Sequence, residues 1–158
     1  MKLLATLLFL RSARSQLPPG AYIPIVVQPC GTPASAPGQF FLSQSPRAAG
    51  SGGRLYESAL YAGTCIYSQY KDSLLYLAPC NTSDMQQHYT WGKGSGGFVA
   101  GGGGCWGETA SPPGGPAGDT VGLFGCGAGQ GVFEFVTVAS SNLQIISNYS
   151  QMCLTPSP

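Results

Sequence analysis

The chain is 158 residues long, a length that one domain accommodates. Only 8% of its residues are charged while 43% are apolar, which excludes a solvated, charge-rich disordered protein. Glycine (24) and proline (13) exceed ordinary usage and no window sustains apolar spacing of 3.6 residues, so an all-β chain of short strands joined by turns is expected.

Residues 1–15 read as a secretory signal peptide. Lys2 gives the positive start, Leu3 to Leu10 the apolar core, and Ala13-Arg14-Ser15 a small-x-small cleavage site ahead of Gln16. That core is far shorter than the roughly 20 residues a bilayer span needs. The closing Leu154-Thr-Pro-Ser-Pro carries no anchor-like tail, so residues 16–158 are expected as a secreted, extracellular domain without a membrane anchor. Cleavage would remove Lys2, Arg11 and Arg14, leaving Arg47, Arg54, Lys71 and Lys93 against six acids, a net charge of −2. No basic patch remains, and nucleic acid is not an expected partner.

The remaining chain is repetitive. "IPIVVQPC" runs to Cys30, and a loop then leads to Gln39, Phe40 and Phe41; "GRLYESALYAGTCI" follows and delivers Cys65. "LLYLAPC" ends at Cys80, a polar loop leads through Gln86 and Gln87 to Tyr89 and Trp91, and "GGFVAGGGGCW" delivers Cys105. After "SPPGGPAGD", residues 111–119, which read as a loop insertion, "TVGLFGC" ends at Cys126. Gln130, Phe133 and Phe135 come next, and "NLQIISNYSQMCL" delivers Cys153. Each copy is therefore an apolar strand, a cysteine, a loop, a glutamine with an aromatic pair, a further strand and a second cysteine.

The first cysteines of the copies fall at 30, 80 and 126, spaced by 50 and 46, and three copies of two cysteines account for all six. Repeats of this period are single supersecondary units that cannot bury their apolar faces alone and must pack together. An even cysteine count suits three disulfides formed in an oxidising compartment. Asn81-Thr-Ser and Asn148-Tyr-Ser are glycan-acceptor sequons in polar, turn-like stretches and fit the same compartment.

Nothing in the chain assembles a catalytic or metal-binding constellation. His88 is the sole histidine, without carboxylates or thiolates at ligand spacing, and reads as a turn residue beside Tyr89. Ser68-Gln-Tyr-Lys71 matches a Ser-x-x-Lys pattern but lacks the helix and partner motifs of that chemistry. The acids Glu57, Asp72, Asp84, Glu108, Asp119 and Glu134 form no close sequence pair of the glycosidase kind. "GSGGFVAGGGGC" has no Gly-Lys-Ser/Thr ending and opens no helix, so it is not a phosphate loop. The expectation is a non-enzyme with no cofactor and no metal.

This order of elements resembles the ricin B-type lectin family, whose fold is the β-trefoil. The family's Gln-x-Trp element corresponds to Gln39-Phe-Phe, Gln87-His-Tyr and Gln130-Gly-Val-Phe, and its Cys-Leu-Asp strand to Cys65-Ile-Tyr, Cys105-Trp-Gly and Cys153-Leu-Thr. The resemblance covers roughly residues 22–155, with repeats at about 22–62, 63–103 and 104–155 in a shifted phase. It implies disulfides Cys65–Cys80, Cys105–Cys126 and Cys30–Cys153, one of fifteen possible pairings, the last closing the chain ends together with a strand.

Carbohydrate binding is the function the resemblance implies, with glycans or glycoproteins as partners. The family's sugar-binding Asp falls on Tyr67, Gly107 and Thr155, none of them a carboxylate; its aromatic platform falls on Gln28, Ala78 and Phe124. Candidate sugar contacts are therefore Phe124 and Gln130 in the third unit, and Tyr67 and Tyr76 with Gln86, joined by Tyr70, elsewhere. The family's glutamines also serve its fold by bonding backbone. Weak or altered sugar specificity is expected. The alternatives are a structural or protein-interaction trefoil without a sugar site, or an inhibitor of a secreted hydrolase.

Overall fold

The computed structural model describes residues 22–44, 53–68, 74–92, 97–100, 104–109, 117–125, 133–139, 142–147 and 149–157. The fold is all-β. Twelve strands follow in order: β1 (Ile23–Gln28), β2 (Phe41–Gln44), β3 (Leu55–Ser58), β4 (Thr64–Tyr67), β5 (Tyr76–Pro79) and β6 (Tyr89–Gly92). Then come β7 (Gly97–Ala100), β8 (Cys105–Glu108), β9 (Val121–Phe124), β10 (Phe133–Ala139), β11 (Asn142–Ser147) and β12 (Cys153–Pro156). The only helical pieces among the described residues are 3-10 turns at Pro37–Gln39 and Met85–Gln87, each three residues long. Among the described residues no helix is long and apolar enough to cross a membrane.

The repeat seen in the sequence is a repeat of pairings. β2 pairs with β3, β6 with β7 and β10 with β11, all antiparallel. In each set the cysteine of the fourth strand faces a residue of the third: Glu57 with Cys65, Val99 with Cys105, and Ile146 with Cys153. The fourth strand of each set then pairs with the first strand of the next, as β4 with β5 and β8 with β9, and β12 returns to β1. The chain thus closes on itself: Ile25 to Gln28 lie opposite Pro156 to Cys153.

The first strands of the three sets meet. Ile25 N–H donates to the Leu75 carbonyl at 2.9 Å, and Leu75 N–H to the Val121 carbonyl at 2.7 Å. Bridges Val26–Thr120 and Leu74–Gly122 join the same strands. Ile25, Leu75 and Val121 are spaced by the same 50 and 46 residues as the cysteines, and all three are fully buried.

Two positions further on, Val27, Leu77 and Leu123 repeat the pattern, and the residue after each fourth-strand cysteine, Ile66, Trp106 or Leu154, is fully buried as well. Burying an aliphatic or aromatic side chain stabilises by about 1.5–3 kcal/mol, so these threefold sets hold the units together. Phe41 and Tyr89, each two residues after its unit's glutamine, complete the core with Tyr56. Tyr89 meets Trp106 edge-on with ring centroids 4.6 Å apart.

Disulfides join Cys30 to Cys153 and Cys65 to Cys80, the pairs the resemblance implied. The first, with a sequence separation of 123, fastens the strand pair that closes the chain. Cys105 is disulfide-bonded too; its expected partner Cys126 lies outside the described residues. Residues 1–15, Tyr70, Gln130 and Asn148 also lie outside them. These bridges indicate an oxidising environment.

Candidate functional site

The unit glutamines are clamps. Gln39 accepts from Gly31 N–H at 2.7 Å and donates to the Pro29 carbonyl at 2.9 Å. Gln87 does the same one unit later, accepting from Asn81 N–H at 2.8 Å and donating to the Pro79 carbonyl at 2.9 Å. Both side chains are 2% exposed, and each belongs to the last residue of a 3-10 turn that aims the amide at the loop beyond the first-strand cysteine. A primary amide can satisfy a backbone donor and a backbone acceptor together. These two glutamines therefore hold the loops rather than face solvent.

The strand pairs that cross set boundaries offer three equivalent positions, of which the one at Gly107 and Gly122 is buried. Tyr67 lies opposite Tyr76 on β4 and β5, Gly107 opposite Gly122 on β8 and β9, and Thr155 opposite Val26 on β12 and β1. Only the first carries aromatic side chains, and both of its rings are half-buried. Tyr22, 58% exposed, adds a third ring 5.9 Å from that of Tyr67 and 6.3 Å from that of Tyr76. At Thr155 the hydroxyl donates to the Cys153 carbonyl and accepts from Gln39, so it is already engaged.

Gln86 bonds the residue after Tyr67 through its backbone. Its carbonyl accepts from Ser68 N–H at 3.2 Å and from the Tyr89 hydroxyl at 2.8 Å, and its N–H donates to Asp84 Oδ1 at 3.0 Å. Asp84 thereby N-caps the second 3-10 turn. Burial pushes the Tyr89 hydroxyl well above the ordinary phenol range; its bond to Ser68 opposes this, and Asp84 and Tyr67 add to it. The Tyr56 hydroxyl is pushed up to about 12, again by burial, with Arg54 pulling the other way.

Of the sequence-derived sugar contacts, Tyr67 and Tyr76 face each other across β4 and β5, and Gln86 meets Ser68, the residue after Tyr67, through its backbone carbonyl. Phe124 does not join them. It stands half-buried on β9 opposite Cys105, in the four-stranded sheet β6-β7-β8-β9, whereas β4 and β5 belong to the eight-stranded sheet. One neighbour of the tyrosine pair, Tyr22, and the cap residue Asp84 escaped the sequence reading. Tyr22 sits one residue before β1 with no motif around it, and Asp84 was weighed only as a possible member of an acid pair, although Asp two residues before Gln86 carries an N-cap signal.

His88, expected in a turn, is instead 2% exposed, and neither ring nitrogen has a hydrogen-bond partner among the described residues. It follows Gln87 as Phe40 follows Gln39, so it fills a core position that the first unit gives to phenylalanine. Asn81 is exposed, with its Oδ1 accepting from Ser83 N–H at 3.0 Å. Glu108 is fully buried and accepts from the Ser150 hydroxyl at 2.6 Å. Among the described residues no group of three or more His, Cys, Asp or Glu is placed to hold a metal ion.

Comparison with protein families, with curated proteins and with solved structures finds no match for this chain.

Proposed function

We propose that the chain is a secreted β-trefoil of the ricin B-type lectin class, acting as a carbohydrate-binding module and not as an enzyme. The trefoil reading is supported by three four-strand sets with the same pairings, by the meeting of their first strands, and by the return of β12 to β1. Secretion is supported by the signal-like leader and by disulfides that require an oxidising compartment. The observation that carries sugar binding is the half-exposed Tyr67–Tyr76 pair at one of three equivalent positions. A pyranose ring has an apolar C–H face and a polar rim, and tyrosine offers an apolar face with a polar tip.

One observation favours the rival reading of a trefoil kept for structure or protein interaction. The clamp glutamines are consumed by backbone, and two of the three positions carry no ring. A glycan array probed with the oxidised, full chain separates the two. Reproducible binding to a group of related glycans is the expected result; an array without any signal, repeated by saturation-transfer NMR at millimolar sugar, would refute the carbohydrate reading.

A further inference from the structure

Clamp glutamines hold the loops after Cys30 and Cys80, but the residue just past the cysteine differs between the two units. In the first unit it is Gly31; in the second it is Asn81, the head of the sequon Asn81-Thr-Ser. A Cβ at Gly31 would come within 2.6 Å of Ala36 Cβ and 2.9 Å of Ser35 Oγ, so the first loop closes over that position. The first unit runs through residues 31–36 before its 3-10 turn, whereas the second runs only through 81–84. Nothing covers the shorter loop: Asn81, Thr82 and Ser83 are all exposed.

The polar atoms of Asn81 are engaged with one exception. Its backbone N–H donates to Gln87 Oε1 at 2.8 Å, its carbonyl accepts from Asp84 N–H at 3.1 Å, and its Oδ1 accepts from Ser83 N–H at 3.0 Å. Its Nδ2 makes no hydrogen bond among the described residues, and neither does the Ser83 hydroxyl two residues on. The fold thus uses Asn81 only through atoms that an N-linked sugar leaves in place. The second sequon differs, since the hydroxyl of Ser150 donates to buried Glu108 at 2.6 Å.

We propose that Asn81 is an N-glycosylation site whose glycan stands in solvent beside the Cys65–Cys80 disulfide. The co-substrate class is a lipid-pyrophosphate-linked oligosaccharide. Nδ2 bonds to the anomeric carbon of the first sugar, the bond from that carbon to the pyrophosphate oxygen breaks, the lipid pyrophosphate leaves, and the proton lost by Nδ2 passes to the medium. Transfer takes place on the unfolded chain, so the fold decides whether the modified residue can still take its native place. At Asn81 it can, because Oδ1, the N–H and the carbonyl keep their bonds and the sugar replaces a hydrogen that no protein group accepts. A sugar-bearing side chain at position 31 would have no room. The proposal rests on the secretory reading of residues 1–15, since the transferase acts in that compartment, and it is independent of sugar binding by the fold.

The test expresses the full chain in secreting eukaryotic cells, once with its own residues 1–15 and once with a proven secretory leader in their place. Trypsin cleaves after Arg54, Lys71 and Lys93, so Asn81 falls in peptide 72–93 and Asn148 in peptide 94–158. Mass spectrometry of protein from the medium and the microsomes, digested without reduction, is expected to show a glycan on 72–93, with that peptide still linked to 55–71 through Cys65–Cys80. Ser83→Ala should abolish the glycan and Ser83→Thr should retain it. Peptide-N-glycosidase turns the modified Asn81 into aspartate, which can still accept from Ser83 N–H, so removing the glycan should leave the melting temperature unchanged. An unmodified Asn81 under both leaders, or a glycan on Asn148 alone, overturns the proposal. So does a glycosylated 72–93 in which Cys80 is free or paired elsewhere, or a melting temperature that falls on glycan removal. A glycan on Asn81 obtained only with the replacement leader removes the secretory reading of residues 1–15 and leaves the acceptor site standing.

Discussion

Replacing His88 by phenylalanine should make this protein more stable. His88 is 2% exposed, and both ring nitrogens lack a partner among the described residues. A buried polar group without a hydrogen bond costs about 1–3 kcal/mol, whereas an apolar group of the same shape in its place is neutral or stabilising. The chain itself supplies the precedent: Phe40, which holds the corresponding place after Gln39, is 1% exposed. Gly53 packs directly over the site, where a Cβ would come within 3.0 Å of His88 Cβ, so the ring must keep its present path and the gain is set near the lower end of that range. About 1–2 kcal/mol is expected, which for a domain of this size raises the melting temperature by roughly 3–8 °C. His88→Ala is the control; it removes the unsatisfied nitrogens but leaves a cavity, and should be destabilising. The assay is calorimetry and urea unfolding with the disulfides intact. If His88→Phe instead lowers stability by 1 kcal/mol or more with an unchanged urea slope, the imidazole makes an interaction that this reasoning has missed.

Three further outcomes are expected. Gln39→Leu and Gln87→Leu each remove two backbone hydrogen bonds from a buried amide and strand the loop groups behind them, so each should cost roughly 2–4 kcal/mol in urea unfolding, while Gln86→Leu costs little. Breaking Cys30–Cys153 by a double Ser substitution should cost more than breaking Cys65–Cys80, since loop-closure entropy gives about 4.7 kcal/mol near 100 residues and about 3 near 15, against separations of 123 and 15 here; equal losses would tell against this account. Tyr56 and Tyr89 hold their protons more tightly when folded than the ordinary value of 10.0, so the stability they contribute is complete below pH 10 and falls as pH rises, for Tyr56 through about 12. Absorbance of tyrosinate during an alkaline titration should therefore show Tyr56 ionising late and Tyr89 only with unfolding.

The sequence by itself determined the strand class, the repeat and its spacing. Those features are local and periodic: a chain of low charge, rich in glycine and proline, without helical apolar spacing has few other ways to satisfy its backbone, and a copied unit leaves copied cysteines. The first-strand core residues Ile25, Leu75 and Val121 share the offsets of those cysteines, so even their common burial was readable once the copies were aligned. What the tertiary structure decided is which polar residues are spent inside and which are left outside. The resemblance leaves Gln39 and Gln87 with a backbone-bonding role, and the 3-10 turn that ends at each carries the amide inward onto particular carbonyls and N–H groups. His88 looks like a turn residue until the fold sets it where the first unit has Phe40. Phe124 and Tyr67 read as parts of related pockets, yet strand order puts them in different sheets. Tyr22 reaches the Tyr67–Tyr76 pair only because strand pairing brings together residues more than forty positions apart in the chain. Propensity and period act over a few residues; a site is built from contacts across the fold, and no local signal carries them.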